Sequence, residues 1–535
     1  MTNCRISLLV CFLFFIFPVP GAIYAFEINS QYADSGMGTE TLLLIWDQTS
    51  PLPNEHFGAI VNRFDLSLSK DIYLVGISYD TESYFTTEEW DIKWWPEKIF
   101  FEVKQPAWTF DLGDFTVLFG RGLTLSVVKR EQFGENTTIQ GGSFELTLPN
   151  INSRWVLGTV NQDNVLRYEP SRAKTKEPGW EVRDQIFGAS LSAGHPSFVF
   201  AGVNYASAYM PVKPEDPNKE FESADNADLL SFMLQAPNIA GHGSFYSEYC
   251  WYNRIDRMLG IPPDYSEGRG AYAALNLNFK PITLSLEAKD YYHFDFPYHE
   301  PPNLEYDRAT FLHMPTVDDV TGEKARLDVI VPGPNTDIYA AYHYESTHRE
   351  DPIDLKEHYD TKNRVDSIRH LYGGVEQTFN NLAHLFISGG RRLSLEPEGA
   401  WSHGEISWAV PVEDVHEIGM DLGVKYFEGA GLEQGTHFDS YRADLNYMWS
   451  PYLGVTLGYE FSKEPLSSFT TGSAAANNQT NRPNFYRTEF KIKPEDWIEI
   501  NLTAGRLKGG LVCSGGVCRE VPPFEGVKAE TVLRF

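Results

Sequence analysis

The stretch YRADLNYMWSPYLGVTLGYEF, Tyr441 to Phe461, decides the fold. Its first half alternates strictly. Tyr441, Ala443, Leu445, Tyr447 and Trp449 share one face, and Arg442, Asp444, Asn446 and Met448 share the other. Successive side chains of a β-strand point to opposite sides, so this is a strand with one apolar and one polar face. After Ser450-Pro451 the pattern resumes with Leu453, Val455, Leu457, Tyr459 and Phe461 opposite Gly454, Thr456, Gly458 and Glu460, which makes the whole stretch a hairpin. A soluble sandwich would also alternate, but in strands of about 5–6 residues. These runs reach about 9–11 residues, the length that crosses a bilayer at a tilt.

The same pattern extends in both directions. Ala271 to Phe279 and Ile282 to Ala288 flank Lys280-Pro281, and Tyr486 to Ile492 and Ile498 to Ala504 flank Pro494-Glu495-Asp496. Short turns fall near Lys70, Pro106, Pro149, His195-Pro196, Pro237-Asn238, Lys280-Pro281, Pro332, Asn380-Asn381, Pro411 to His416, Ser450-Pro451 and Pro494 to Asp496. Long polar segments such as 168–183, 211–227, 294–322, 347–364 and 462–484 lie between them. Short turns alternating with long loops predict an all-β chain forming a single large antiparallel transmembrane barrel of about 24 strands, within a range of about 22–26. The turns are expected on the periplasmic side and the loops outside. Phe26 to Tyr32 reads either as a first strand or as a short periplasmic lead, and clear alternation begins near Phe57.

Met1 to Ala25 carries Arg5, an apolar run from Leu8 to Phe17, a break at Pro18 and Pro20, and a small residue at Ala25. This predicts a cleaved secretory signal peptide over 1–25, with the barrel over 26–535. The 44 Lys and Arg against 73 Asp and Glu give a net charge of −29, and loss of Arg5 with the leader takes it to −30. Such a balance argues against nucleic acid as a partner. The 42% apolar and 14% aromatic content excludes a wholly disordered chain. The mean hydropathy of −0.32 does not argue against a membrane, because a barrel shows lipid only every second residue. Val527, Ala529, Thr531, Leu533 and Phe535 alternate with Lys528, Glu530 and Arg534 at the end of the chain. This resembles the terminal strand read by the outer-membrane assembly machinery of Gram-negative bacteria, without the usual glycine before it. Outer-membrane lipid and lipopolysaccharide are the other expected partners.

The stretch FDLGDFTVLFGRGLTLSVVKREQFGENTTIQGG, Phe110 to Gly142, goes beyond generic barrel patterning. With its Gly113-Asp114-Phe115 and Phe119-Gly120-Arg121-Gly122-Leu123, it resembles a segment of an uncharacterised family of large Gram-negative outer-membrane β-barrel proteins. The stretch Glu287 to Arg308 is similar to that family as well. The resemblance implies fold and location and leaves function undefined. Gly120 and Gly122 permit a sharp turn. Segment 120–138 is therefore expected either to fold into the lumen, with Arg121, Lys129, Arg130 and Glu131 as a charged constriction, or to stay outside as a solvated loop.

No nucleophile elbow, phosphate-binding loop or His-Glu-x-x-His motif occurs, so no catalytic residue, metal or cofactor is expected. His293, Asp295, His299, Glu300, His343 and His348 match no standard metal spacing. Tyr291, Tyr292, Trp408, Tyr447, Trp449, Tyr452 and Trp497 are expected in the interfacial girdles. Arg63, Asp65, Glu287, Lys289, Arg442, Asp444, Glu460, Arg487, Glu489, Lys491 and Glu499 are expected to face a hydrated lumen. Cys513 and Cys518 flank Ser514-Gly515-Gly516-Val517 and read as a small-loop disulfide or as two free thiols. The expected role is a porin-like channel or transporter for a small hydrophilic solute. The alternatives are a surface binding or scaffold barrel that recognises a partner through its loops, and a barrel-borne enzyme.

Overall fold

A computed structural model describes residues 35–47, 57–85, 90–130, 135–136, 138–161, 183–195, 197–211, 223–258, 264–304, 319–331, 333, 335–348, 367–394, 399–413, 415–429, 436–463, 483–508, 510–514, 517–521 and 524–534. Among these residues, 24 strands form one antiparallel sheet in which each strand lies beside its neighbours in the chain. The first, Ser35–Asp47, pairs with Phe57–Lys70 on one side and with the last, Phe524–Arg534, on the other. The sheet therefore closes into a barrel and leaves no unpaired edge.

One end of the barrel is built of tight connections. Links of two or three residues join Phe57–Lys70 to Tyr73–Phe85, Ile139–Leu148 to Ile151–Asn161, and Thr436–Trp449 to Leu453–Ser462. Ser35 lies opposite Ser69 and Arg534 opposite Thr39, so the two ends of the sheet's chain lie at this same end. Strands range from 8 residues, Trp108–Phe115, to 16, Gly243–Met258. The longer ones exceed the alternating runs read from sequence because the backbone ladder continues toward the long-loop end past the point where outward residues must be apolar.

The register assigns the faces. Arg442 lies opposite Gly423 and Glu460, and Asp444 opposite Asp421 and Gly458, on the inner side. Tyr441, Leu445, Leu457 and Tyr459 point outward and stand about half exposed. Trp408, Tyr447, Trp449, Tyr452 and Trp497 cluster at the tight-turn end with their rings exposed. Tyr291 departs from the expected girdle. It faces inward opposite Gly270 and is fully buried, because an inserted segment covers it.

The strand Ser35–Asp47 is hidden in the sequence for a definite reason. Leu42, Leu43, Leu44 and Ile45 are apolar on both faces. Leu43 and Ile45 point inward and pack on Ala59 and Val61, so no period of two is visible. Phe26 to Tyr32, the leader 1–25, Glu131 and Phe535 lie outside the described residues.

Candidate functional site

The barrel is not hollow. After Phe115 the chain leaves the sheet and forms a small hairpin, Val117–Phe119 against Leu125–Val127, before rejoining at Ile139–Leu148. Val117, Phe119, Leu123, Leu125 and Val127 are buried in one apolar cluster with inward residues of the wall, among them Ile139, Val156, Ile186, Leu229 and Tyr246. A second insert follows the strand Ile282–Tyr292 and brings Phe294, Phe296, Tyr298 and Leu304 into the same cluster.

The two inserts hold each other through backbone. Ser126 N–H donates to the Tyr298 carbonyl at 2.7 Å, and Glu300 N–H donates to the Gly122 carbonyl at 2.8 Å. Ser126 Oγ also reaches Glu300 Oε2 at 3.2 Å. Wall side chains clamp the second insert. Tyr252 OH donates to the Asp295 carbonyl at 2.6 Å, Tyr291 OH to the Pro302 carbonyl at 3.1 Å, and Tyr298 OH to Asp184 Oδ2 at 2.5 Å. The wall has been cleared to receive these inserts. A Cβ on Gly188 would stand 2.8 Å from the Phe119 ring and 3.0 Å from Leu125, and one on Gly270 would stand 2.8 Å from the Phe294 ring.

The hairpin tip reaches well down the barrel wall, to the level of Glu248 in the strand Gly243–Met258. Gly122 N–H closes a turn onto the Phe119 carbonyl at 3.0 Å, with Gly120 at φ +58° as its first central residue. That position favours glycine. Directly behind the tip sits the buried Glu248 carboxylate. Its Oε1 accepts from Ser231 Oγ at 2.8 Å and from Asn204 Nδ2 and Thr124 Oγ1 at 3.3 Å. Its Oε2 accepts from Tyr246 OH at 2.6 Å and from the Arg121 backbone N–H at 3.2 Å. Buried charge is tolerated when donors satisfy it in this way.

Arg121 itself stays exposed. Its guanidinium lies 4.8 Å from the Tyr246 ring centre and 5.6 Å from that of Tyr272, and it donates to Tyr272 OH at 3.4 Å. Lys129 and Arg130 pair by backbone with Asn136 and Glu135 in a short ladder that follows the hairpin in the chain. From Val117 to Val127 the insert is chiefly apolar, with Arg121 as the charged group at its tip.

On another part of the wall four of the lumen residues singled out from sequence, Arg442, Asp444, Arg487 and Glu489, meet in one network. Glu405 Oε1 lies 3.5 Å from Arg442, whose Nε lies 3.2 Å from Asp444 Oδ2. Asp444 Oδ1 lies 3.2 Å from Arg487, which lies 3.6 Å from Glu489. Arg442, Arg487 and Glu489 are open to the lumen and Asp444 is enclosed between the two arginines. Lys491, Glu499 and Arg534 continue the network toward the tight-turn end at 3.0 and 3.3 Å.

Between the inserts and this open wall lies a belt of buried ionisable side chains. Lys289 Nζ is 2.6 Å from Glu345 Oε1, and His343 Nε2 is 2.9 Å from Glu345 Oε2. His370 and His403 meet through their Nε2 atoms at 2.9 Å. Sequence reading missed His370 and His403, which lie on the inner faces of Ser367–Thr378 and Gly399–Val412 and meet across Gly390 of the strand between them, His384–Ser394. Among the described residues no group of three or more His, Cys, Asp or Glu is arranged to hold a metal ion. His299 instead packs on Phe294 and Phe296 in the second insert, and burial pushes its imidazole down to about 3. Cys513 and Cys518 are directly opposite each other in the two-stranded ladder Gly510–Ser514 with Val517–Val521, which stands apart from the barrel sheet.

A profile for a family of unknown function (DUF6029) matches residues 436–535, the part of the chain that contains the open-wall network from Arg442 to Arg534. No curated protein matches the sequence. Among solved structures, the siderophore receptor PirA from Pseudomonas aeruginosa aligns with a TM-score of 0.48 at 9% identity over 94% of this chain and 80% of that one. The copper transporter OprC aligns at 0.45 with 10% identity over 94% and 81%. The P pilus usher (PapC) translocation pore aligns at 0.42 with 8% identity over 94% and 98%.

Proposed function

We propose that this barrel sits in an outer membrane and acts as a porin-like passage for a small hydrophilic solute. The observation that carries the reading is the division of the lumen. Two inserts fill the side lined by the strands from Trp108–Phe115 to Val320–Val331 with apolar packing. The side lined by Glu405, Arg442, Asp444, Arg487 and Glu489 keeps charged groups exposed to the interior.

A 24-strand barrel is too wide for wall side chains alone to fill, so inserts that occupy one side narrow the passage without closing it. The remaining wall alternates acid and base over its height. Such a lining keeps water in the lumen and offers polar solutes both signs of charge in turn. The outward face of exposed Leu, Ile, Tyr and Trp supports lipid as its surroundings. Aromatic rings gathered at the tight-turn end support a membrane interface there. In this reading the tight turns face the periplasm, residues 1–25 are the export leader, Phe535 closes the strand presented to the assembly machinery, and lipopolysaccharide surrounds the loop end.

Ion conductance of the refolded full-length mature chain in a planar bilayer tests the reading. Discrete steps are expected. Replacement of 117–127 by a short Gly-Ser linker is expected to raise the step size severalfold, because the hairpin occupies part of the cross-section. A correctly folded barrel that leaves the bilayer closed, with or without the hairpin, would overturn the passage and favour a surface-binding barrel instead.

A further inference from the structure

Arg121 differs from five other guanidinium groups of the barrel in having no carboxylate beside it. Arg154, Arg254, Arg326, Arg442 and Arg487 each have a carboxylate oxygen within 4.0 Å. Arg121 has none among the described residues, and its guanidinium lies against two tyrosine rings and one tyrosine hydroxyl. We propose that Arg121 is the recognition point for an oxyanion, a carboxylate or phosphate group carried by the passing solute. The inference rests on the passage proposed above and narrows its cargo from hydrophilic to acidic solutes.

Three features make the group a site and not merely a stray charge. First, it is held in place. The Arg121 backbone is anchored to Glu248, and the guanidinium is stacked on Tyr246 and Tyr272, so less side-chain freedom remains to be lost on binding. Second, it is accessible. Arg121 sits between Gly120 and Gly122, so neither chain neighbour has a side chain to cover the planar donor fork, and the residue is exposed at the tip. Third, nearby acids are engaged elsewhere. Glu248 receives donors on both oxygens, and Glu287 Oε2 accepts from Tyr272 OH at 2.8 Å with Lys324 at 3.9 Å. The tyrosine hydroxyls thus point at carboxylates while their faces support the cation. A guanidinium with an open fork binds an oxyanion through paired, charge-assisted hydrogen bonds. In a chain of net charge −29, an acidic solute needs such a fixed positive stop inside the lumen.

Calorimetric titration of inorganic phosphate into the detergent-folded full chain at constant ionic strength tests this. Phosphate is expected to bind the wild type, with affinity lowered about tenfold or more by Arg121→Gln and less by Arg121→Lys, which keeps the charge but loses the fork. Arg254→Gln, at a guanidinium already paired with Asp225, is expected to leave the affinity within about twofold. Wild type that binds no phosphate, or Arg121→Gln that binds equally well, overturns the proposal. A barrel that binds phosphate through Arg121 yet passes no current would end the passage reading and keep the subsite. A conducting barrel with unchanged binding in Arg121→Gln would do the reverse.

Discussion

At the scale of single residues, the inserted tip depends on Gly120. A Cβ there would fall 2.3 Å from Glu248 Oε2 on a backbone at φ +58°, so Gly120→Ala meets both a steric and a torsional penalty. A cost of about 1–3 kcal/mol is expected. It should appear as faster protease cleavage within 117–127 while the strands keep their protection, and unchanged cleavage would contradict this account of the turn. His348, just after the strand Thr336–Thr347 at the loop end, offers a pH dependence. Burial works against its charged form, but hydrogen bonds to Asp290 at 2.8 Å and Asp319 at 2.9 Å outweigh it and raise its pKa above the ordinary 6.5. Tyr292 packs edge-on to its ring, and Arg269 lies 4.0 Å from Asp290. A raised folded-state value means the stabilisation is complete below the unfolded pKa and is lost as pH rises through the folded one. Urea unfolding followed from about pH 5 to about pH 9 should show wild type losing stability toward the alkaline side, with the loss flattened in His348→Gln. His299 works in the opposite sense. Its value, lowered to about 3, removes stability as pH falls below about 6.5, so the two must be separated by the variant.

At the scale of elements, the inserts explain which parts of the sequence were legible. Arg442, Asp444, Arg487 and Glu489 were readable as lumen residues because each alternates with outward residues that are apolar apart from Thr488, in an unbroken period of two. The strands that face the inserts carry Ile186, Ala206, Ala208, Ala227 and Leu229 on their inner side, so both of their faces are apolar and the period fades. Tyr291 was read as an interfacial ring for the same reason: nothing local tells an aromatic that faces lipid from one that faces an insert. The hairpin Gly510–Ser514 with Val517–Val521 belongs to this scale as well. Directly opposed residues of an antiparallel ladder have Cα atoms about 4.5–5.5 Å apart, inside the roughly 4.4–6.8 Å span of a disulfide. If the chain is exported to an oxidising compartment, Cys513 and Cys518 should be bonded. Denaturing alkylation of the chain after residue 25 is then expected to label Cys250 alone, and all three cysteines only after reduction. Full labelling without reductant would show two free thiols instead.

At the scale of the whole molecule, closure of the sheet turns an alternating sequence into an inside and an outside. Leu445 lies on the outward face of Thr436–Trp449, four residues in from the tight-turn end and opposite Met420 and Leu457. A charge placed there should be opposed by lipid and not by water. Leu445→Arg is expected to cost about 2–4 kcal/mol of folding free energy in bilayers if the residue sits near the midplane. The neighbouring change Asn446→Arg, on the wet inner face, should cost far less. Equal costs in vesicle refolding would place the two faces in similar surroundings and undo the transmembrane assignment. The lumen is a property of this scale as well. Its open wall joins strands that are 20 to 50 residues apart in the chain, as in the contacts from Glu405 through Arg442 and Asp444 to Arg487.

The sequence by itself determined the fold class, a strand number of about 24 and the division of the links into tight turns and long loops. Period-two alternation and turn residues are local signals, and the strands lining the open side of the barrel repeat them. It also settled which side of most strands is wet. Only the tertiary structure decided what fills the interior. The residues of 117–127 and 294–304 acquire their meaning when closure brings them against a wall from tens to more than a hundred residues away, as when Phe119 meets Gly188 and Arg121 meets Glu248 and Tyr272. Burial inside a closed barrel depends on curvature and long-range contact, and no window of neighbouring residues encodes it.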